Sequence, residues 1–192
     1  MSSRPELEAI ALPDPPHAWE ALGFTVEHAT IAIGGLRIRL GEGTGLELRG
    51  LEGDPDLDGL PIRRSQTPPP RPASHPVGAK AVDHVVVLTP DLARTTRKLA
   101  AAGLDHRPSP AAQEFFVLGP CLLELAEAEG ADGPRLWGLT LVVADIDAAA
   151  HRLGDRLGTP NPAVQRGRRI ATVSPAAGLA TAVALITPRT VN

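Results

Sequence analysis

The chain has 192 residues, 43% of them hydrophobic and 21% charged, with a formal net charge of −3. That is enough apolar side chain for a packed interior and too little net charge for disorder, and no apolar run approaches the roughly 20 residues of a membrane span. The N-terminus lacks a secretory apolar region, and a single cysteine, Cys121, excludes an intrachain disulfide framework or a cysteine-cluster metal site. Mild acidity, 3% aromatics and no tyrosine argue against nucleic acid as a partner. The expectation is a cytoplasmic globular protein with neither membrane nor nucleic acid as its partner.

In chain order, Leu7 to Leu12 reads as a short strand, and Pro13-Asp14 opens a short helix ending at Gly23. Strands follow around 25–33, 35–40 and 45–51, with Gly34-Gly35 and the Gly41–Gly45 region as hairpin turns. Residues 53–80 hold seven prolines, including Pro68-Pro69-Pro70, and read as a semi-rigid linker. Residues 82–89, VDHVVVLT, are rich in β-branched side chains and predict a buried strand. Pro90-Asp91 starts a helix through about Ala102, with Leu92 and Leu99 on its inner face and Gly103 at its end. Strands are expected near 104–107, 114–118 and 121–127. The same order then recurs: a strand over 136–143, a helix from Ala144-Asp145 to about Leu157, and strands near 163–166, 168–174 and 179–187.

The recurrence has a register. At an offset of 54, Asp91 falls on Asp145, Leu92 on Ile146 and Leu99 on Leu153; one residue later, Gly103 falls on Gly158 and Pro120 on Pro175. At an offset of 77, Pro13-Asp14 meets Pro90-Asp91, and Leu46-Glu47-Leu48 meets Leu123-Glu124-Leu125. The expected fold class is therefore α+β, built from repeated βαβββ units: 81–188 a pair, 5–52 a partial third. An odd unit leaves a sheet edge that must be covered, either by a twin in a homodimer or by its own chain.

The stretch VDHVVVLTPDL, with FFVLGPCLLEL and WGLTLVVADID, resembles the vicinal oxygen chelate superfamily of glyoxalases, extradiol dioxygenases, epimerases and bleomycin-resistance proteins. The resemblance implies that paired units curl into an open, barrel-like cup. In metal-using members one His on a first strand and one Glu on a fourth strand of each unit point into it. It thereby nominates His84 and Glu124 as metal ligands, with Glu124 also a catalytic carboxylate. Imidazole and carboxylate suit a divalent Fe, Mn, Ni or Zn, which would polarise vicinal oxygens of a small oxygenated metabolite. The second half departs from the pattern: Gly138 stands opposite His84 in the alignment, and Ala176 to Thr187 contains no ionisable residue. Two protein ligands fall short of the three usual for a catalytic zinc site. Glu47, at the fourth-strand position of the N-terminal copy, or His75 from the linker are the candidates for a third.

Arg166, Arg168 and Arg169 form the densest basic cluster, which reads first as a solvated edge that blocks sheet-to-sheet pairing. Arg168 and Arg169 alternate across one strand, so one of them can instead enter the cup, with Arg168 the candidate for a carboxylate or phosphate of a substrate. Trp137 and Phe115-Phe116 are candidates for an apolar ligand wall, with Phe116 preferred. Cys121 reads as a buried apolar filler, and His17, His28, His106 and His151 as solvated. Three functions remain open: a metal-dependent lyase, isomerase or dioxygenase; a metal-free small-molecule-binding protein; and a scaffold whose pocket is vestigial.

Overall fold

The computed structural model describes residues 4–109 and 112–189. The first sheet is built from β1 (Glu6–Leu12), β2 (Thr30–Ile33), β3 (Leu36–Leu40), β4 (Gly45–Arg49) and β5 (Ile62–Arg64), in the order β2-β3-β1-β4-β5. The second uses β6 (Ala79–Thr89), β7 (Asp105–Arg107), β8 (Gln113–Leu118), β9 (Cys121–Glu127), β10 (Arg135–Val143), β11 (Asn161–Pro162), β12 (Arg169–Thr172) and β13 (Ala182–Ile186). Its order is β11-β12-β13-β10-β6-β9-β8-β7. Helices α1 (Pro16–Ala21), α2 (Leu92–Ala101) and α3 (Ile146–Leu153) follow β1, β6 and β10. The eight-stranded sheet is the expected pair of βαβββ units. In each unit the first strand lies parallel to the fourth, β6 to β9 and β10 to β13, and the units join antiparallel through β6 and β10.

The repeated Pro-Asp and Ala-Asp starts have a local cause. Asp91 accepts a hydrogen bond from the Arg94 backbone N–H, and Asp145 accepts from Asp147 and Ala148, so both helices begin on a side-chain cap. Gly103 just past α2 and Gly154 at the end of α3 turn the chain with positive φ, 86° and 54°. The second helix unit is thus shorter than expected, and a single 3-10 turn covers Gly154–Arg156.

The N-terminal unit differs from the expected copy. β1 pairs parallel with β3 and antiparallel with β4, and β4 pairs parallel with β5. The sequence β2-β3-β1-β4-β5 therefore repeats, strand for strand and sense for sense, β8-β9-β6-β10-β13. The fourth strand of the first unit is β3. The strand holding Glu47 is the first strand of a second, reduced unit, whose helix and middle strands are replaced by the loop 50–61. Residues 62–64 within the Pro-rich stretch complete it as β5. The chain expected as a strand from residue 25 pairs only from Thr30, because His28 and Ala29 adopt positive φ and break the extended run.

The core-facing sides of both sheets and the helices feed one continuous apolar core, with Ile10, Ile38, Leu48, Val85, Leu99, Leu123 and Leu185 fully enclosed. At roughly 1.5–3 kcal/mol per buried aliphatic or aromatic side chain, this core is the dominant source of stability. The sheets are also bridged by polar links. Asp58 receives hydrogen bonds from Arg94 Nε at 2.9 Å and from Thr95 Oγ1, and Asp56 pairs with Lys98. Asp14 accepts from the backbone N–H groups of Ala180 and Thr181. The odd unit thus packs on its own chain, against the helix side of the eight-stranded sheet.

Candidate functional site

Period-two alternation sends Val85, Val87, Leu123 and Leu125 to the core and turns His84, Val86, Leu122 and Glu124 to the opposite face, the inner surface of the cup. His84 lies on β6 directly opposite Thr140 of β10 and beside Leu122 of β9; Glu124 lies beside Val86 and opposite Phe115. Imidazole and carboxylate stand close together on that face: His84 Nε2 is 3.6 Å from Glu124 Oε2 and 2.9 Å from Thr140 Oγ1.

A β-bulge explains how the imidazole is held. Register slips by one between Thr140 and Leu141, leaving Asp83 as an extra residue on β6. Its carboxylate reaches His84 Nδ1 at 2.9 Å and Arg168 Nη2 at 2.7 Å. Burial pushes the Asp83 carboxyl up, but hydrogen bonds and charge from His84 and Arg168 outweigh it and hold the group down at about 2. Asp83 is therefore ionised at neutral pH and accepts from Nδ1–H. That turns Nε2 toward the Thr140 hydroxyl and the Glu124 carboxylate.

The other candidates separate. Arg168 does enter the interior, at 4% exposure, with its Nε donating to the Thr187 carbonyl at 2.8 Å. It meets Asp83 instead of a ligand, and its Nη1 is buried with no hydrogen-bond partner among the described residues. Arg169, on the opposite face, pairs with Asp147 at 2.6 Å. Phe116 is fully buried in the core and stacked on His106 at a centroid distance of 5.0 Å; its neighbour Phe115 faces the cup and lines the hollow. His106 is thus half-buried and paired with Glu114 at 2.9 Å rather than solvated. Trp137 is the second bulge residue, between Leu136 and Gly138 on β10. It stays 47% exposed beside a different hollow, of about 420 Å³, with Pro13 and Thr44 of the first sheet on its rim.

Neither proposed third ligand comes to His84. Glu47 sits on the five-stranded sheet and is held by both terminal nitrogens of Arg39. His75 is buried against the N-terminal unit: Nδ1 accepts from the Thr25 N–H at 3.2 Å and Nε2 lies 3.2 Å from the Ala32 carbonyl. Cys121 is enclosed, its thiol pushed up to about 12 by burial, which leaves it inert as a nucleophile.

The donor set does not fit a divalent cation. By the two-unit symmetry of β6 and β10, Gly138 mirrors His84, and Ala184, beside Thr140, mirrors Glu124. Nothing larger fits at Gly138, where a Cβ would collide with the carbonyl oxygen of Ala182 on the neighbouring strand. Among the described residues no three His, Cys, Asp or Glu side chains converge as a metal site. One imidazole, one carboxylate and a hydroxyl remain, short of a catalytic first sphere. Sequence reasoning passed over Asp83 and Thr140. The Asp-His dipeptide preceding a β-branched run was the signal for the first; the second is visible only through cross-strand register.

A hollow of about 750 Å³ opens beside this group, lined by Phe115, Leu122, Gln165, Arg166, Arg168 and Arg189. Its apolar wall, Leu122 and Phe115, is made of the strand neighbours of His84 and Glu124.

Comparison with known proteins finds likeness in structure. No family model matches the chain, and no curated protein matches it. The whole chain superposes on half the length of a xylose isomerase-like TIM barrel/4-hydroxyphenylpyruvate dioxygenase fusion protein, with a TM-score of 0.65 and 12% identity. It matches methylmalonyl-CoA epimerase from Mycobacterium tuberculosis over 59% of this chain and 91% of that one, with a TM-score of 0.48 and 18% identity. A methylmalonyl-CoA epimerase in complex with methylmalonyl-CoA and ammonium matches over 58% and 96%, at 0.45 and 20%. At these identities the likeness is one of fold.

Proposed function

We infer that this chain, which has the vicinal oxygen chelate fold, is a small-molecule-binding protein whose cup works without a divalent metal. The observation that carries this reading is the one-sidedness of the donor set. His84 and Glu124 stand on one unit, and their mirror positions are a sterically enforced glycine and an alanine. The ligand rests against Phe115 and Leu122, and the His84–Thr140–Glu124 group meets its polar atoms.

A second reading is favoured by the Asp83–His84 hydrogen bond. An imidazole fixed by a buried carboxylate, with Nε2 beside a second carboxylate, can pass a proton to and from a carbon next to a carbonyl. That reading is an isomerase acting through His84 and Glu124 as base and acid, without Lewis-acid assistance.

Metal analysis of protein purified without chelator tests the main reading. Substoichiometric Fe, Mn, Ni and Zn, with a melting temperature indifferent to EDTA, supports it. A stoichiometric metal that disappears in both His84→Ala and Glu124→Ala overturns it. Deuterium uptake at the α-carbon of a bound ligand in heavy water, lost in His84→Ala, would move the protein to the isomerase reading.

A further inference from the structure

We propose that the occupant of the cup is a small organic anion carrying an apolar group, its charged end held by Arg166 and Arg189. The proposal rests on the reading of the cup as a binding site and adds the chemistry of what it takes.

Elsewhere in the described chain, arginines beside a sheet face are mostly neutralised: Arg37 by Glu8, Arg39 by Glu47, Arg94 by Asp58 and Arg169 by Asp147. The hollow beside His84 is different. It is lined by Arg166, Arg168 and Arg189, and among the described residues no acidic side chain lines it. The carboxylates nearest on the same face are Asp83 and Glu124, and Asp83 is already shared between His84 and Arg168. Three guanidinium groups thus face two carboxylates. Arg168, sealed beneath the hollow with Nη1 unpartnered among the described residues, adds a fixed charge that solvent does not reach. Walls of low polarisability around such charges concentrate a positive potential in the cavity.

The loop 163–168 explains how this comes about. Between the two short strands β11 and β12 the chain turns through Gly167 at a φ of 78°. The turn places Arg166 and Gln165 on the exposed rim while Arg168 dives inward. Arg166 and Arg189 are solvent-exposed, and their guanidinium groups suit a carboxylate or phosphate with paired N–H donors. Phe115 and Leu122, half-buried opposite them, supply the apolar wall. The anion so held lies over Leu122 and Phe115, the strand neighbours of His84 and Glu124, with its apolar part on Phe115.

Calorimetric titration of the full chain with four probes of one shape tests this: benzoate, phenyl phosphate, benzyl alcohol and benzylamine. The expected result is one-to-one binding of benzoate or phenyl phosphate, the tighter of the two naming the head group, with the alcohol and amine weaker by about tenfold or more. Arg166→Ala combined with Arg189→Ala should weaken the anions by about tenfold or more, and added salt should weaken them too. Arg135→Ala, beside the other hollow, should leave them unchanged. Equal affinity for benzylamine or benzyl alcohol, or anion binding intact in the double variant, overturns the proposal. If benzyl alcohol binds as tightly as the anions and Phe115→Ala abolishes it, the cup reading survives and the anion inference falls. If none of the probes binds, both fall.

Discussion

In the five-stranded sheet, β3 carries Arg39 beside Ala11 where the eight-stranded sheet carries Glu124 beside Val86. Glu47 faces Ala9 at the place where Thr140 faces His84. Each sheet has a bulge on its first strand, and each bulge residue is a buried acid: Glu8, clasped by Arg37 and Ser65, and Asp83, clasped by Arg168 and His84. The frame is shared and the chemistry is opposite. In the first sheet every one of these charges is met within the chain. The Pro-rich stretch also lies across that face, with Arg37 donating to the Pro68 carbonyl at 2.6 Å and Arg49 to Thr67 at 3.0 Å. In the second sheet the corresponding face holds a buried imidazole, with a hollow beside it lined by Phe115 and Leu122. One polar sheet face is taken up by internal pairing and the other lies beside a hollow, which is why the proposed site is placed in the second.

That contrast can be broken in graded ways. The largest effect is expected from Arg168→Met, which strands the buried Asp83 carboxylate and should cost about 3–5 kcal/mol of unfolding free energy. Denaturant unfolding should show much of this returned when Asp83→Asn is added. Next is pH. The folded carboxyl of Asp83, at about 2, lies below its ordinary value of 3.8. Its contribution is therefore fully present above pH 4 and is lost as pH falls toward 2, amounting to about 2 kcal/mol. Unfolding measured from pH 5 to pH 2 should fall more steeply for the native chain than for Asp83→Asn; identical slopes would refute the pairing.

Gly138→Ala should follow, costing about 1–3 kcal/mol because the added carbon meets the Ala182 carbonyl. A stable variant there would remove the steric reason for the missing mirror ligand. The caps Asp91→Ala and Asp145→Ala should each cost about 0.5–2 kcal/mol and add independently, since they serve separate helices. The smallest effect is expected from Arg39→Ala, a partly exposed pair worth roughly 1 kcal/mol or less. It should leave ligand binding in the second sheet untouched, whereas binding lost in this variant would locate the site in the wrong half.

How much of this was readable beforehand depended on how local each cause was. The helix starts were visible because an Asp capping its own next turn needs only neighbouring residues. The paired βαβββ order followed from the repeat of those caps after β-branched runs. His84 and Glu124 were named through the family resemblance, and alternation along two adjacent strands keeps them on one face. Glu47 was misplaced because Leu-Glu-Leu is a strand pattern that any position in a sheet satisfies, and only pairing partners tell a fourth strand from a first. Phe116 and Phe115 were exchanged for the same reason: a shift of one residue in register reverses the face. Trp137 went astray because a bulge interrupts alternation at that residue. Arg168 was named for a substrate anion, and the ion pair it makes was not legible because Asp83 lies on another unit, far away in sequence.

The loop 50–61, standing where a helix and two strands would complete the first sheet, has a consequence for how the molecule comes apart. Through Asp56 and Asp58 it fastens on α2, an element belonging to the other sheet. Trimming one repeat has thereby turned two modules into mutual scaffolds. Cleavage after the Pro-rich stretch should release fragments that stay associated, and neither half expressed alone should melt as a cooperative unit.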